Sequence, residues 1–172
     1  LHGIQSWIAL PVEQEENDPA FTHYPAADLP DIALEGARVR IIMGEAYGAS
    51  SPVQTFSRTL YLDVQLEVEA ELTLPEGEEE LAFYVADGAV EVDGETFQLG
   101  VMAVAHPGRA VRIRGLESSR LMVVGGDNIG PRQIFWNFVS SRAERIEQAK
   151  QDWRDRQFAM VPGDDEFISL PE

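Results

Sequence analysis

The chain has 172 residues, 44% of them hydrophobic, a length and apolar content suited to one core with appended segments. Its 30 acidic and 13 basic side chains leave a formal net charge of −17, which disfavours contact with phosphate backbones and anionic lipid. Cysteine is absent, so disulfides and thiolate metal sites are excluded, and no apolar run approaches the ~20 residues of a transmembrane helix.

Residues 1–10 read as a strand, and Leu1-His2-Gly3-Ile4-Gln5-Ser6-Trp7 lacks the charged-then-apolar order of a signal peptide. Pro11 to Pro30 follows as a polar connector, with Pro19 and Pro25 inside it. Ala37 to Met43 is a strand candidate. From Thr59 to Leu66 the alternation is strict: Leu60, Leu62, Val64 and Leu66 share one face, and Tyr61, Asp63 and Gln65 the other. That pattern predicts a half-buried strand. The same period turns Val68, Ala70, Leu72 and Leu74 inward. Leu81 to Ala86, Val90 to Val92 and Thr96 to Leu99 are further strands, separated by Asp87-Gly88 and Asp93-Gly94. Asp-Gly favours the positive-φ turns of tight hairpins, so a meander is expected. Val101 to Ala105, Ala110 to Arg114 and Arg120 to Val124 extend the antiparallel set toward a sandwich or barrel.

Ser141-Arg142-Ala143-Glu144 has the spacing of a capping box, in which the serine caps the Glu144 amide and the glutamate reaches back. A helix is predicted from there to about Arg156, with Ile146, Ala149, Lys150 and Trp153 on one face and Asp152 and Arg156 spaced for an ion pair. The tail from Phe158 to Glu172 reads as extended chain. The expected layout is a linker strand and connector over 1–34, a β-barrel over 35–139, and a helix with tail over 140–172.

Candidate chemistry is sparse. His2, His23 and His106 share no short spacing, so none is assigned as a metal ligand, although His106 in Ala105-His106-Pro107-Gly108 is placed at a strand-to-turn junction. Glu76 and the run Glu78-Glu79-Glu80 offer oxygens to a hard cation but read more simply as a solvated turn. Gly125-Gly126-Asp127-Asn128-Ile129-Gly130-Pro131 lacks the Lys-Ser/Thr ending of a phosphate loop. The serine pairs Ser50-Ser51, Ser118-Ser119 and Ser140-Ser141 sit at element boundaries, where serines cap and turn, and no nucleophile elbow is present. Arg142, Arg145, Lys150, Arg154 and Arg156 on the helix, and Arg112 and Arg114 on one strand face, suit either an acidic partner or a solvated surface. No catalytic, cofactor-binding or metal-binding residue is assigned.

The β-region resembles the cupin barrel, whose motifs are Gly-x5-His-x-His-x3,4-Glu-x6-Gly and Gly-x5-Pro-x-Gly-x2-His-x3-Asn. With the first closing on Gly88, the glutamate position falls on Leu81, and the histidine positions fall on Pro75 and Gly77 or on Leu74 and Glu76. With the second opening at Gly100, Gly108 is its second glycine, His106 stands at its proline, and Val111 stands at its ligand histidine. All four ligand positions are vacated.

More specific segments resemble the pirin family. Gly3-Ile4-Gln5-Ser6-Trp7-Ile8-Ala9-Leu10-Pro11 is similar to that family's linker strand, and Ser51-Pro52-Val53 with Thr59 to Val64 to its C-terminal cupin. The stretch from Gly130 to Ser141, containing Phe135-Trp136-Asn137-Phe138-Val139, and Glu144 to Lys150 resemble a bacterial branch. The resemblance implies a mainly β cupin, a double-stranded β-helix or jelly-roll barrel, with a C-terminal α-helix. It further implies a C-terminal, metal-free half whose N-terminal partner half carries Fe(II) on three histidines and a glutamate, so that no cofactor is expected on this chain. Quercetin 2,3-dioxygenase activity is then expected of the whole protein. The alternative is a protein-binding module of a redox-sensitive transcriptional co-regulator. Cytoplasmic location, no direct nucleic acid and no membrane complete the expectation. Trp7, Ile8 and Phe167 are the candidates for apolar surface facing the other half.

Overall fold

The computed structural model describes residues 3–160, 162–163 and 165–171. They fall into two compact units, one from Pro19 to Asn128 and the other made of the residues up to Asp18 with those from Ile129 onward.

The first unit is built from β1 (Asp31–Leu34), β2 (Ala37–Met43), β3 (Glu45–Ala46), β4 (Ala49–Ser50), β5 (Thr59–Leu66) and β6 (Glu71–Thr73). It continues through β7 (Glu80–Asp87), β8 (Ala89–Val92), β9 (Glu95–Gln98), β10 (Met102–Val104), β11 (Arg112–Gly115) and β12 (Ser119–Gly126). Six strands form a sheet in the order β1-β2-β5-β12-β7-β10, four form a second in the order β6-β11-β8-β9, and β3 and β4 make a small hairpin. All pairings are antiparallel. Val39, Leu62, Val64, Val85, Leu121 and Val123 from the six-stranded sheet join Leu72, Val90 and Ile113 from the four-stranded one in a single buried cluster. The two sheets therefore face each other across one core, a double-sheeted jelly roll. Each of those large side chains contributes about 1.5–3 kcal/mol by leaving water.

β2 spans the strand candidate Ala37 to Met43, and β5 spans the residues the alternation marks. β5 is not half-buried, however: Tyr61 and Asp63 are buried as well, because β5 lies between β2 and β12 and its second face is covered by sheet neighbours. That face carries Tyr61, Ala86 and Met122 with Ile42, Met43, Tyr84 and Val124, and Arg120 grips Asp63 through Nε–Oδ1 at 2.8 Å and Nη2–Oδ2 at 2.6 Å. The strand predicted from Val68 shrinks to Glu71–Thr73. Glu69 has φ of 60°, its N–H donates to the Gly115 carbonyl, and Val68 is exposed, so this stretch is a turn.

The two Asp-Gly pairs behave differently. Asp93 and Gly94, with φ of 51° and 80°, make the expected two-residue hairpin between β8 and β9, pairing Val92 with Glu95. Asp87-Gly88 instead carries the chain from β7 in one sheet to β8 in the other. The buried Ser119 holds this corner. Its Oγ accepts the Ala89 N–H at 3.1 Å and lies 3.0 and 2.9 Å from the Ala89 and Glu117 carbonyls, one of which takes its proton.

In the second unit, β13 (Gln133–Phe135) and β14 (Phe138–Ser140) form a hairpin, and α1 (Ala143–Arg154) follows. Residues 3–10 belong to no sheet, contrary to the predicted strand, because the described residues give them no ladder partner. Trp7 and Ile8 are exposed. The helix buries Ile146 and Ala149, and Trp153 sits among Trp136, Phe138, Phe158 and Phe167 at ring separations of 5.0–6.2 Å. Phe167 thus completes this unit's own aromatic cluster.

The capping box does not form. The helix starts at Ala143, no side chain caps it, and the carboxylate of Glu15 occupies Ser141 instead. Glu15 accepts the Ser141 N–H at 2.9 and 3.0 Å, the Ser141 hydroxyl at 2.8 Å and the Ser140 hydroxyl at 3.1 Å. Arg132 Nε stands 2.8 Å from Glu15 Oε1 as an ion pair without an aligned hydrogen bond, and both side chains are only 7% exposed. The rest of the guanidinium donates to the carbonyls of Leu10 at 2.7 Å and Ile129 at 2.9 Å. Burial pushes the Glu15 carboxyl up, but the serine donors and Arg132 together outweigh it and hold the group below its ordinary range. No helix among the described residues is long and apolar enough to cross a membrane.

Candidate functional site

One end of the jelly roll is rimmed by the β6–β7 connection, the Ala105–Ala110 turn and the β3–β4 hairpin. The residues at the four cupin ligand positions lie here. Leu74 and Val111 are buried, 2% and 8% exposed, and the Leu74 N–H donates to the Val111 carbonyl at 2.9 Å. Leu81 packs against the same core cluster. Pro75, Glu76 and Gly77 lie on the loop above, with Glu76 exposed. Leucine and valine have no lone pair to give, so these residues do not fit a metal ion. Among the described residues no group of three or more histidines or carboxylates is placed to hold one.

Two clefts open beside this plug. One, of 690 Å³, is lined by Tyr47, Ser51, Arg58 and Thr59; the other, of 440 Å³, by Leu81, His106 and Arg109; Glu76 and Glu78 line both. The acidic run is solvated at Glu76, Glu79 and Glu80, as expected, but not at Glu78. Glu78 is 6% exposed and paired with Arg58 at 2.9 Å, while Glu79 and Glu80 accept the backbone and side-chain N–H groups of Asn128. His106 is on the rim, exposed; His23 is exposed elsewhere, and His2 lies outside the described residues.

Tyr47 was not legible as a site residue. It occupies the β3–β4 turn at φ of 49°, next to Gly48, and its hydroxyl donates to the Thr73 carbonyl at 2.9 Å. Burial pushes its hydroxyl up to about 12 from 10.0. Between those values the folded chain keeps a proton that the unfolded chain has lost, so stability falls as pH rises through that window. In an absorbance titration Tyr47 should give a late-ionising phase, and Tyr47→Phe should remove it.

Most of the candidate basic groups are engaged within the chain, with no ion pair found for Arg154 among the described residues. Arg112 pairs with Glu71, and Arg114 with Glu69 and Glu91 on neighbouring strands. Arg142 and Arg145 both pair with Glu16, Lys150 with Glu147, and Arg156 stacks on Phe167. The predicted Asp152–Arg156 pair is absent; Asp152 accepts Gln148 at 2.7 Å instead. Such exposed pairs stabilise the fold little, but they occupy charges that an acidic partner would need.

A mainly β jelly roll with apolar residues at its mouth, in a chain with one C-terminal helix, defines a cupin domain. The pirin C-terminal cupin domain matches residues 61–159, and the chain belongs to the pirin family. A pirin-like protein of Caulobacter vibrioides is 46% identical over the whole of this chain and 60% of its own length. Human pirin is 28% identical over 90% of this chain and 56% of its own. The crystal structure of a quercetin 2,3-dioxygenase from Acinetobacter baumannii superposes with a TM-score of 0.88 at 27% identity, covering 96% of this chain and 57% of that one. The chain therefore spans little more than half the length of these relatives. The family-specific stretch from Gly130 to Ser141 supplies Arg132, Ser140 and Ser141 of the buried network and Trp136 and Phe138 of the aromatic cluster.

Proposed function

We propose that this chain is the metal-free half of a two-cupin pirin protein, and that it covers and stabilises an N-terminal half in which iron is held. The observation that carries this reading is the apolar replacement of ligand positions, at Leu81, Val111 and either Leu74 or Pro75, with Leu74, Leu81 and Val111 packed into the core. The length of the relatives supports a further domain, and the C-terminal designation of the matched domain supports its lying on the N-terminal side. A quercetin 2,3-dioxygenase type of reaction belongs, in this reading, to the whole protein, with no step on residues of this half. The −17 charge supports contact with protein surfaces rather than with nucleic acid or anionic lipid.

Elemental analysis of the purified chain tests the reading. No stoichiometric iron is expected, with no difference between the wild type and His106→Ala. One iron per chain that disappears in His106→Ala overturns it.

A further inference from the structure

Four of the large apolar residues exposed on the first unit lie in or just before β10, while Phe21, Phe56 and Val68 are scattered. Leu99, Val101, Met102 and Val104 are 63%, 41%, 56% and 74% exposed, and β10 is the last strand of the six-stranded sheet. On its paired side the Val101 carbonyl accepts the Val85 N–H at 3.0 Å and the Ala105 N–H donates to the Leu81 carbonyl at 2.8 Å. Hydrogen bonding in an antiparallel ladder alternates, so Val101, Ala103 and Ala105 face β7, and the N–H and C=O groups of Met102 and Val104 point to the open side. Ala103 and Ala105 pack on the inner core. The side chains of Met102 and Val104 therefore stand on the outer face. There the register continues them as rows, Met102 to Tyr84 to Met122 and Val104 to Ala82 to Val124.

The other three edges of the two large sheets carry charge: Asp31 on β1, Glu71 on β6 and Glu95 on β9. From Gln98 to Pro107, by contrast, there is no Asp, Glu, Lys or Arg, in a chain where 25% of residues are charged. Exposed edges are ordinarily blunted by charged side chains, because bare N–H and C=O groups template pairing with another strand. An uncharged, apolar edge in so acidic a chain is the kind of edge that is covered in the working protein.

We propose that the N-terminal half of a pirin protein adds an extended, uncharged strand to the open edge of β10, with Met102 and Val104 as its apolar anchors; this rests on the two-cupin reading above. The relatives carry 40–44% of their length outside the part this chain matches, enough for a second β-domain. A second copy of this chain is the weaker occupant, because it brings another −17 to the contact. The recognition is strand addition: main-chain bonds at Met102 and Val104 supply affinity, and the apolar rows supply selectivity against charged segments.

Hydrogen exchange tests this on the chain alone and on the chain with the N-terminal half joined ahead of it. The Met102 and Val104 amides should exchange quickly in the first and at least about tenfold more slowly in the second. Val104→Pro removes a donor that β7 does not use, so the chain alone should keep its melting temperature while the protection at Met102 disappears. Met102→Lys serves as a second variant with its backbone donor intact, and it should weaken the same protection. Equal exchange at these amides with and without the N-terminal half, while other segments become protected, overturns the edge assignment and leaves the two-cupin reading standing. Protection in the chain alone that grows with concentration overturns it in favour of self-association. No new protection anywhere overturns both.

Discussion

Glu15→Ala should lower the stability of the second unit by about 3–5 kcal/mol, since it leaves the Arg132 charge buried and unpaired. The carboxylate and guanidinium are each only 7% exposed, so neither charge can recover its hydration without opening the structure. The loss should exceed that of any exposed pair, for example Arg109→Ala against Asp93, where both partners are more than half exposed. Urea unfolding followed by tryptophan fluorescence measures the difference, and a loss under 1 kcal/mol would contradict the buried-network account. The pH dependence has a definite sign. The folded Glu15 carboxyl titrates below its ordinary 4.5, so its contribution is complete above that value and fades as pH falls through the folded pKa. Wild type and Glu15→Gln should therefore converge in stability under strongly acidic conditions and diverge near neutrality.

The second large effect is at the corner between the two sheets. A Cβ on Gly88 would lie 2.5 Å from Ser119 Oγ and 2.6 Å from the Ser118 carbonyl oxygen, at a φ of 77°. Gly88→Ala therefore adds a left-handed backbone cost of about 1–2 kcal/mol to the displacement of a buried serine, worth about 1–3 kcal/mol. A total of about 2–5 kcal/mol is expected. Gly94→Ala is the internal control. It shares the positive φ, but nothing lies within 4 Å of its added Cβ, so only the backbone cost of about 1–2 kcal/mol applies. Thermal melts of the two variants should separate clearly; equal losses would mean that the Ser119 clasp contributes nothing.

These two glycines also show where sequence reading reaches and where it stops. Each follows an aspartate and each takes a positive φ, and local chemistry predicted both turns. Whether the chain then folds back as a hairpin or crosses to another sheet depends on Ser119, more than 20 positions away, and no local pattern carries that. The alternation in β5 was legible to the residue because a strand in a sheet obeys a period of two whatever its neighbours. The covered second face of β5 was not, since it depends on strand order. Short elements escaped for a different reason: β1, β3 with β4, and β13 with β14 have two to four residues each, too few to display a period. Ser141 shows local logic overruled. Its spacing to Glu144 suits a cap, yet Glu15, 126 positions earlier, takes its hydroxyl and its amide. At the candidate site the apolar replacements were readable position by position once the cupin motifs were laid on the chain. The Arg58–Glu78 pair was not, because its partners stand on separate loops and the glutamate sits within an ordinary-looking acidic run.

The placement of the aromatic residues gives the protein two independent optical reporters. All three tryptophans, Trp7, Trp136 and Trp153, belong to the unit that contains the helix, whereas all four tyrosines, Tyr24, Tyr47, Tyr61 and Tyr84, belong to the jelly roll. Indole emission therefore follows the aromatic cluster and the Glu15 network, and phenol absorbance follows the two sheets. An unfolding experiment recorded in both channels reads each unit separately without any label. Coincident transitions would show that the two units melt as one cooperative structure, and separated ones would give each its own stability.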